Sequence, residues 1–326
     1  MITSRRLLLL LAAAGLAAGA ALPAAAQTWP TRSITFIVPF PAGGGTDAFA
    51  RPLAAQLDQQ FGHRIVIDNR GGAGGTIGAS AASKAAPDGY TFFIGAAHHA
   101  IAPALYPKLD YNLEKDFIPI GVIAQPPQVV VVNPKKVEAK TLAELITFAK
   151  ANPDKLNYAS AGNGTTHHLA GELFKLLAKA PLTHVPYRGA GPAMQDLVAG
   201  QVDVMFDGLG SSAAQISGGS LRALAVAAPT RSEAFPDVPT AKEAGLDGYE
   251  VATWYAVWAP KGTPDAIVAR MRDEIEKALK TPTIADAWKR NGSTIPALYG
   301  PEFGKFVTAE IARWGKVVND ANIRLE

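Results

Sequence analysis

The chain contains no cysteine in its 326 residues. That excludes disulfides, thiolate metal sites, a thiol nucleophile and a lipidated cysteine anchor. Charge is also sparse, at 18% of residues, and no long block of one sign occurs. A chain without a basic or acidic stripe is not built for nucleic acid or for a charged membrane surface. Several nucleotide and catalytic signatures are missing. No "GK[ST]" follows a glycine loop, so phosphate-cradling nucleotide hydrolysis is excluded. "GGAGGTIG" at 71–78 fails the dinucleotide pattern, because the sixth position counted from Gly72 is Ile77. There is no H-E-x-x-H and no G-x-S-x-G. The histidine pairs His98–His99 and His167–His168 are adjacent, and neighbours on a helix point about 100° apart, so neither pair chelates one ion. No cofactor and no metal are expected.

What is present begins with an export signal. "MITSRR" is a basic start, "LLLLLAAAGLAAGAALP" an apolar stretch, and "AAA" at 24–26 fits small-residue cleavage before Gln27. The apolar run is Ala/Gly-rich and has no basic stop behind it, which favours a cleaved signal over 1–26 rather than an anchor. The adjacent Arg5 and Arg6 leave both general and twin-arginine export open. Without those two arginines the 31 basic residues become 29, against 28 acidic. The expected mature chain is a nearly neutral periplasmic protein of 300 residues, long enough for two domains.

Strand and helix patterns alternate along it. "ITFIVPF" at 34–40, "RIVIDN" at 64–69 and "TFFIGA" at 91–96 are short apolar runs, and "DAFARPLAAQLDQQF" and "TIGASAASKAA" have helical spacing. Such strands separated by helices imply a parallel sheet covered on both faces. The grammar repeats from "QVVVVN" at 128–133. Thr141 and Glu144 in "TLAE" form a capping box, and later strands are "LNYAS", "LTHVPY" and "VDVMFD". Prolines in "AQPPQVVVVNP" mark a first crossing, and the aromatic "GYEVATWYAVWAP" at 248–260 is the candidate return. The expectation is α/β, with two αβ domains around a cleft. Residues 27–125 plus 252–326 form a discontinuous first domain, and 126–251 an inserted second.

Two loops have the composition of anion cups. In "PFPAGGGTD", residues Gly43, Gly44 and Gly45 offer backbone N–H groups and Thr46 a hydroxyl, ahead of a helix whose N-terminus adds free donors and a positive dipole end. Phe40 walls the cleft or packs the core. Asp47 reads first as a helix cap, and alternatively as a partner for a ligand ammonium. "YASAGNGTTHH" repeats the arrangement, with donors from Ser160, Asn163 and Thr165 and flexibility from Gly162 and Gly164. The second glycine run, at 71–78, reads as a tight passage beneath the first loop. His167 or His168 stands near the ligand or on the helix surface. Asp207 at a strand end reaches the cleft or caps the next helix. Ser160 near His167 lacks an orienting acid, so no nucleophile is activated and no enzyme is expected.

Taken together, several segments resemble the tripartite tricarboxylate transporter receptors, the Bug proteins. They are "WPTRSITFIVPFPAGGGTDAFAR", "NRGGAGGTIGASAASKAAPDGYTFFIG", "YASAGNGTTHHLAGELF", "VPYRGAGPAMQDLVAGQVDVMFD" and "FPDVPTAKEAGLDGYE", in order over the mature chain. The resemblance implies a type II periplasmic-binding-protein fold and a small organic carboxylate held in the interdomain cleft. It carries ligand contact over to Ala42, Gly43, Gly44, Thr46 and Asp47, to Ser160 through Thr165, and to Tyr187 and Asp207. The implied partner is a set of membrane permease subunits, or alternatively a sensor-kinase ectodomain, with the receptor a monomer. His98 in "GAAHHAI" departs from the small polar residue expected there, and is either a ligand contact of this receptor or a solvent-facing substitution.

Overall fold

The computed structural model describes residues 29–153, 155–320 and 323–324. The segment 1–26, expected to be an export signal, lies outside the described residues. Two five-stranded sheets carry the fold, and they share one plan. In the first, β1 (Ile34–Val38), β2 (Ile65–Asn69) and β3 (Thr91–Ala96) run parallel. Helices α1 (Gly45–Phe61) and α2 (Thr76–Ser83) make the crossings between them. After α3 (His98–Leu105) comes the edge strand β4 (Phe117–Ala124). The second sheet holds β5 (Gln128–Val132), β6 (Asn157–Ser160), β7 (Thr183–Pro186), β8 (Val204–Gly208) and β9 (Arg222–Val226). Helices α4 (Leu142–Ala151), α5 (Thr166–Ala178), α6 (Ala190–Ala199) and α7 (Leu209–Ser217) lie between its strands. The chain then returns to the first sheet as β10 (Tyr255–Pro260) and ends in α8 (Asp265–Leu279), α9 (Pro282–Arg290) and α10 (Gly300–Asp320).

The strand orders are β2-β1-β3-β10-β4 and β7-β6-β8-β5-β9. In each sheet the fourth strand is the one reached by a crossing between the two halves, and it runs antiparallel to both neighbours. The sheets are therefore mixed rather than wholly parallel, because a strand entering from the opposite half arrives at the other end of the sheet. β4 contains Pro119, paired with Trp258. A proline is tolerated there because the strand is an edge.

The two crossings run side by side. The Gln128 N–H donates to the Val251 carbonyl at 3.0 Å, and Pro127 bridges Ala252. Two helices also span both halves. Phe303 and Val307 of α10 pack with the first sheet's aromatic cluster, whereas Trp314 and Val318 enter the core of the second half. Likewise Ala100 of α3 faces the first core, and Ile101 and Leu105 the second. At 1.5 Å per residue, the 21-residue α10 is about 31 Å long, enough to reach across. The C-terminal segment, expected wholly in the first domain, is thus shared.

Candidate functional site

The helices α1, α3, α5 and α6 all begin at the cleft. Their first turns supply Gly45 and Thr46, His98, His167, and Ala190 to the wall of one small cavity, closed by Phe40, Gly44, Ala161 and Tyr255. Each of these helices follows a strand whose C-terminal end faces the gap, the usual place for a ligand in an open α/β sheet. Four N-termini, two from each half, aim unpaired N–H groups and positive dipole ends at the same volume. That volume is about 10 Å³, room for a single water. The two halves thus meet around this point.

Closure depends on glycine. A Cβ on Gly44 would lie 3.4 Å from both the Ala190 Cβ and the Gly191 N across the cleft. One on Gly191 would lie 2.5 Å from the Ala42 carbonyl across the cleft, and one on Gly45 would lie 2.1 Å from the Tyr255 hydroxyl within the first half. A second cavity of about 310 Å³ shares Phe40 and Ala161 with the first. Its walls include Gly72–Gly74, Tyr106, Gly162, Asn163, Pro186, Tyr187 and Arg188. Tyr106 donates to the Asn163 carbonyl at 2.9 Å, tying the halves at that rim.

The loops themselves are held by side chains. Asp47 accepts from the Gly43 N–H at 3.0 Å, from Arg51 at 2.7 Å and from Asn69 at 3.1 Å, while Asn69 also donates to the Phe40 carbonyl at 2.8 Å. Asp47 therefore does not cap α1, whose cap is Gly44 with no side-chain bond. It reaches back one residue further and takes up the Gly43 donor that the sequence suggested for an anion. The Thr46 hydroxyl has no hydrogen-bond partner among the described residues and lines the small cavity.

In the second half, Ser160 and Thr165 are fully buried and turned into their own loop. Ser160 meets His184 Nε2 at 2.7 Å and accepts from the Gly162 N–H at 3.1 Å. Thr165 caps α5 and donates to the Gly162 carbonyl at 2.7 Å, and the Gly164 N–H donates to His168 Nδ1 at 3.2 Å. These residues shape the cup rather than face the cleft. Asn163 and Tyr187 do face the larger cavity, although the Tyr187 hydroxyl donates to Asp196 at 2.7 Å.

The second glycine run does two things. Gly71 and Gly78 pass tightly against Pro41 and Pro39, as a supporting role requires, while Gly72–Gly74 form cavity wall. His99 braces this run. Its Nδ1 lies 3.0 Å from both the N–H and the carbonyl of Ala96, and its Nε2 3.4 Å from the Gly75 carbonyl.

His98 is 3% exposed, not solvent-facing, and stands edge-on to Phe40 with ring centroids 4.7 Å apart. Burial, with His99 and His167 nearby, holds its pKa well below the ordinary histidine value. Its Nδ1 lies 3.4 Å from the Thr166 hydroxyl across the cleft, and its Nε2 is buried without a partner. Asp207 is wholly buried and bonded by Ser211 at 2.7 and 2.8 Å and by His167 Nε2 at 3.2 Å, while His167 Nδ1 is buried and unpartnered. Asp207 thus acts on the cleft through His167. Tyr255, Tyr106 and Arg188 were missed by sequence reading. Only Arg188, in the quoted "VPYRG", gave a signal, as a cation without an acidic neighbour.

Among the described residues no group of three or more His, Asp or Glu is placed to hold a metal ion, and no helix is long and apolar enough to cross a membrane. A family model, the tripartite tricarboxylate transporter family receptor, matches residues 49–323. The chain belongs to that family. It is a periplasmic solute-binding receptor of a transport system rather than an enzyme. BugT of Bordetella pertussis is 38% identical over 312 residues, 95% of each chain. Among solved structures, a Rhodopseudomonas palustris protein with adipate superposes with a TM-score of 0.87. It is 38% identical, covering 91% of this chain and 99% of that one. MatC from the same organism, with bound malate, gives 0.83 at 37% identity, covering 89% and 100%. These relatives establish the two-domain α/β receptor fold, type II among periplasmic binding proteins.

Proposed function

We propose that the receptor captures a small organic carboxylate between its two halves and, as a monomer, hands it to the membrane subunits of a tripartite tricarboxylate permease. The observation that carries this reading is the meeting of four helix N-termini on one cavity that also holds unpartnered buried imidazole atoms. Such a place favours an anion through backbone donors and dipole ends without needing a basic side chain. The ligands named for the adipate and malate relatives are of this class. The carboxylate would meet the free N–H groups of Gly45 and Thr46, the Thr46 hydroxyl and the starts of α5 and α6, with Phe40, Asn163 and Tyr187 around the rest of the molecule. Ala42, Gly43 and Asp47 would hold the first cup's shape, and Ser160, Gly162, Gly164 and Thr165 the second's.

Native mass spectrometry of protein purified without unfolding, followed by calorimetric titration with aliphatic mono-, di- and tricarboxylates, tests the reading. The expected result is one site per chain and a carboxylate ligand. A protein that binds no carboxylic acid, or binds only uncharged solutes, would overturn it.

A further inference from the structure

His98 and His167 line the small cavity from opposite halves, each has one buried ring nitrogen without a partner, and the roles of these nitrogens follow from the partners of the other two. The Asp207 carboxylate is an acceptor, so the 3.2 Å contact requires the proton of His167 on Nε2. In the neutral ring that leaves Nδ1 as a lone-pair acceptor. For His98, the Thr166 hydroxyl is wholly buried and has His98 Nδ1 as its hydrogen-bond partner. Were Nδ1 protonated, the hydroxyl proton of Thr166 would be buried without an acceptor, an expensive arrangement. The arrangement that satisfies both groups has Thr166 donating to Nδ1 and His98 carrying its proton on Nε2. Burial keeps the His98 ring neutral, in accord with this assignment. The cavity therefore presents one donor, His98 Nε2–H, and one acceptor, His167 Nδ1, and neither has a protein partner.

We propose that His98 and His167 form a two-point station for a ligand hydroxyl, so that this receptor selects a hydroxycarboxylate over its unsubstituted and amino analogues. The inference rests on the carboxylate reading above and names the substrate class within it. A carboxylate oxygen only accepts and cannot satisfy His167 Nδ1. An ammonium only donates and would oppose His98 Nε2–H. A hydroxyl does both at once. A ligand lacking it leaves two buried polar atoms unpaired or must order a water between them, and sites built to bond a hydroxyl reject analogues without one.

The test uses isosteric trios as probes, malate with succinate and aspartate, and 2-hydroxyglutarate with glutarate and glutamate, with citrate against tricarballylate as a further pair. Calorimetric titration of the full mature chain should show the hydroxylated member of the best-bound set binding about 10- to 100-fold more tightly than its analogues. In His98→Phe that ratio should fall several-fold without reaching one, because His167 Nδ1 still accepts from the ligand hydroxyl, and His98→Gln, which keeps a donor near the Nε2 position, should recover part of the loss. Circular dichroism checks that each variant is folded. Nitrogen-15 shifts of the histidine rings supply a readout independent of any variant, with protons expected on His98 Nε2 and His167 Nε2 and lone pairs on both Nδ1 atoms. An imidazolium at His167, or a proton on His98 Nδ1, would overturn the station. So would wild-type protein that binds carboxylates but favours the unsubstituted or amino member, and that outcome leaves the receptor reading intact. Binding of none of these acids or any other carboxylate would defeat both.

Discussion

The two halves answer the same problem with different chemistry. Each must hold a glycine-bearing loop so that the helix behind it starts at the cleft. The first half uses a carboxylate, Asp47, gripped by Arg51 and Asn69 while it takes the Gly43 N–H. The second uses neutral imidazoles. His184 holds Ser160, His168 accepts from Gly164, and the two rings stack 4.3 Å apart with Tyr158 on the far side of His184 at 4.8 Å. Arg51 has its pKa raised by its hydrogen bond to Asp47 and stays charged. Burial lowers the pKa of His168, and it lowers that of His184 to about 4. The first clamp is thus built from a fixed cation, whereas the second is built from groups that must remain uncharged. The same strand plan tolerates both because each clamp lies behind its loop, away from the cavity.

The strongest way to break the symmetry is at the contact between the halves. Gly44→Val places a Cβ at the limit of contact with Ala190 and Gly191, and its two methyl groups then project into the opposing half. The free chain can remain folded with the cleft propped open. Affinity for the bound carboxylate should fall at least about 100-fold, equivalent to roughly 2.7 kcal/mol, with an unchanged circular dichroism spectrum. Calorimetric titration reads the first quantity, and wild-type affinity in a folded variant would remove the first loop from the site.

Breaking the clamps one at a time comes next. Asp47→Ala strands the Gly43 N–H, Asn69 and part of Arg51, and should cost about 2–3 kcal/mol in urea unfolding. His184→Phe keeps a ring in the stack but removes the Ser160 partner, and should cost about 1 kcal/mol at pH 8. At pH 5 that penalty should shrink, because the variant has lost a group that resists protonation. A penalty equal at the two pH values would show that the second clamp is not sensitive to acid.

The pattern of strands and helices was legible because it depends on periodicity, which each element carries locally. β10 was visible as an aromatic run between turn signals, and α1 and α5 as apolar positions behind glycine loops. β4 went unread because Pro119 argues against a strand, and only its edge position, a fact of the sheet, makes it acceptable. The side chains of the site were harder. Ser160, Thr165 and Asp47 have the right chemistry for a ligand, but the same chemistry suits a loop's own N–H groups, and in all three the local partner prevails. Tyr106 and Tyr255 reach the site from elements distant in sequence, so no local pattern could announce them.

Acid should sharpen the comparison further. The neutral forms of His98, His99, His168 and His184 are favoured by burial, and His99, like His184, is held at about 4. Their folded pKa values lie below the unfolded value of 6.5, so between those values the unfolded chain binds more protons and stability rises with pH. Stability from these groups is therefore complete above about pH 6.5 and is lost as pH falls toward 4. Each fully buried histidine contributes up to about 1.4 kcal/mol per pH unit in that window. Urea unfolding from pH 8 to pH 5 should show a plateau and then a decline, and a flat profile would contradict the buried neutral rings.

The smallest effect is expected at Arg188, on the lip of the larger cavity. Its side chain is exposed and has no acidic group within salt-bridge distance among the described residues. An exposed cation contributes little to the stability of the fold, and its attraction is screened by salt. At the mouth of a cavity that receives an anion, it acts mainly on the encounter, raising the association rate at low ionic strength. Arg188→Gln should therefore leave unfolding unchanged and weaken affinity only about 3- to 5-fold at low salt, with the loss in the association rate. Stopped-flow measurement of binding, by the change in tryptophan fluorescence at two salt concentrations, separates the rates. The wild-type rate should drop with salt while the variant's stays nearly flat. A loss confined to the dissociation rate would instead place Arg188 in direct, lasting contact with the bound anion. The second half would then contribute a charged grip that the first half, whose arginine is committed to Asp47, cannot match.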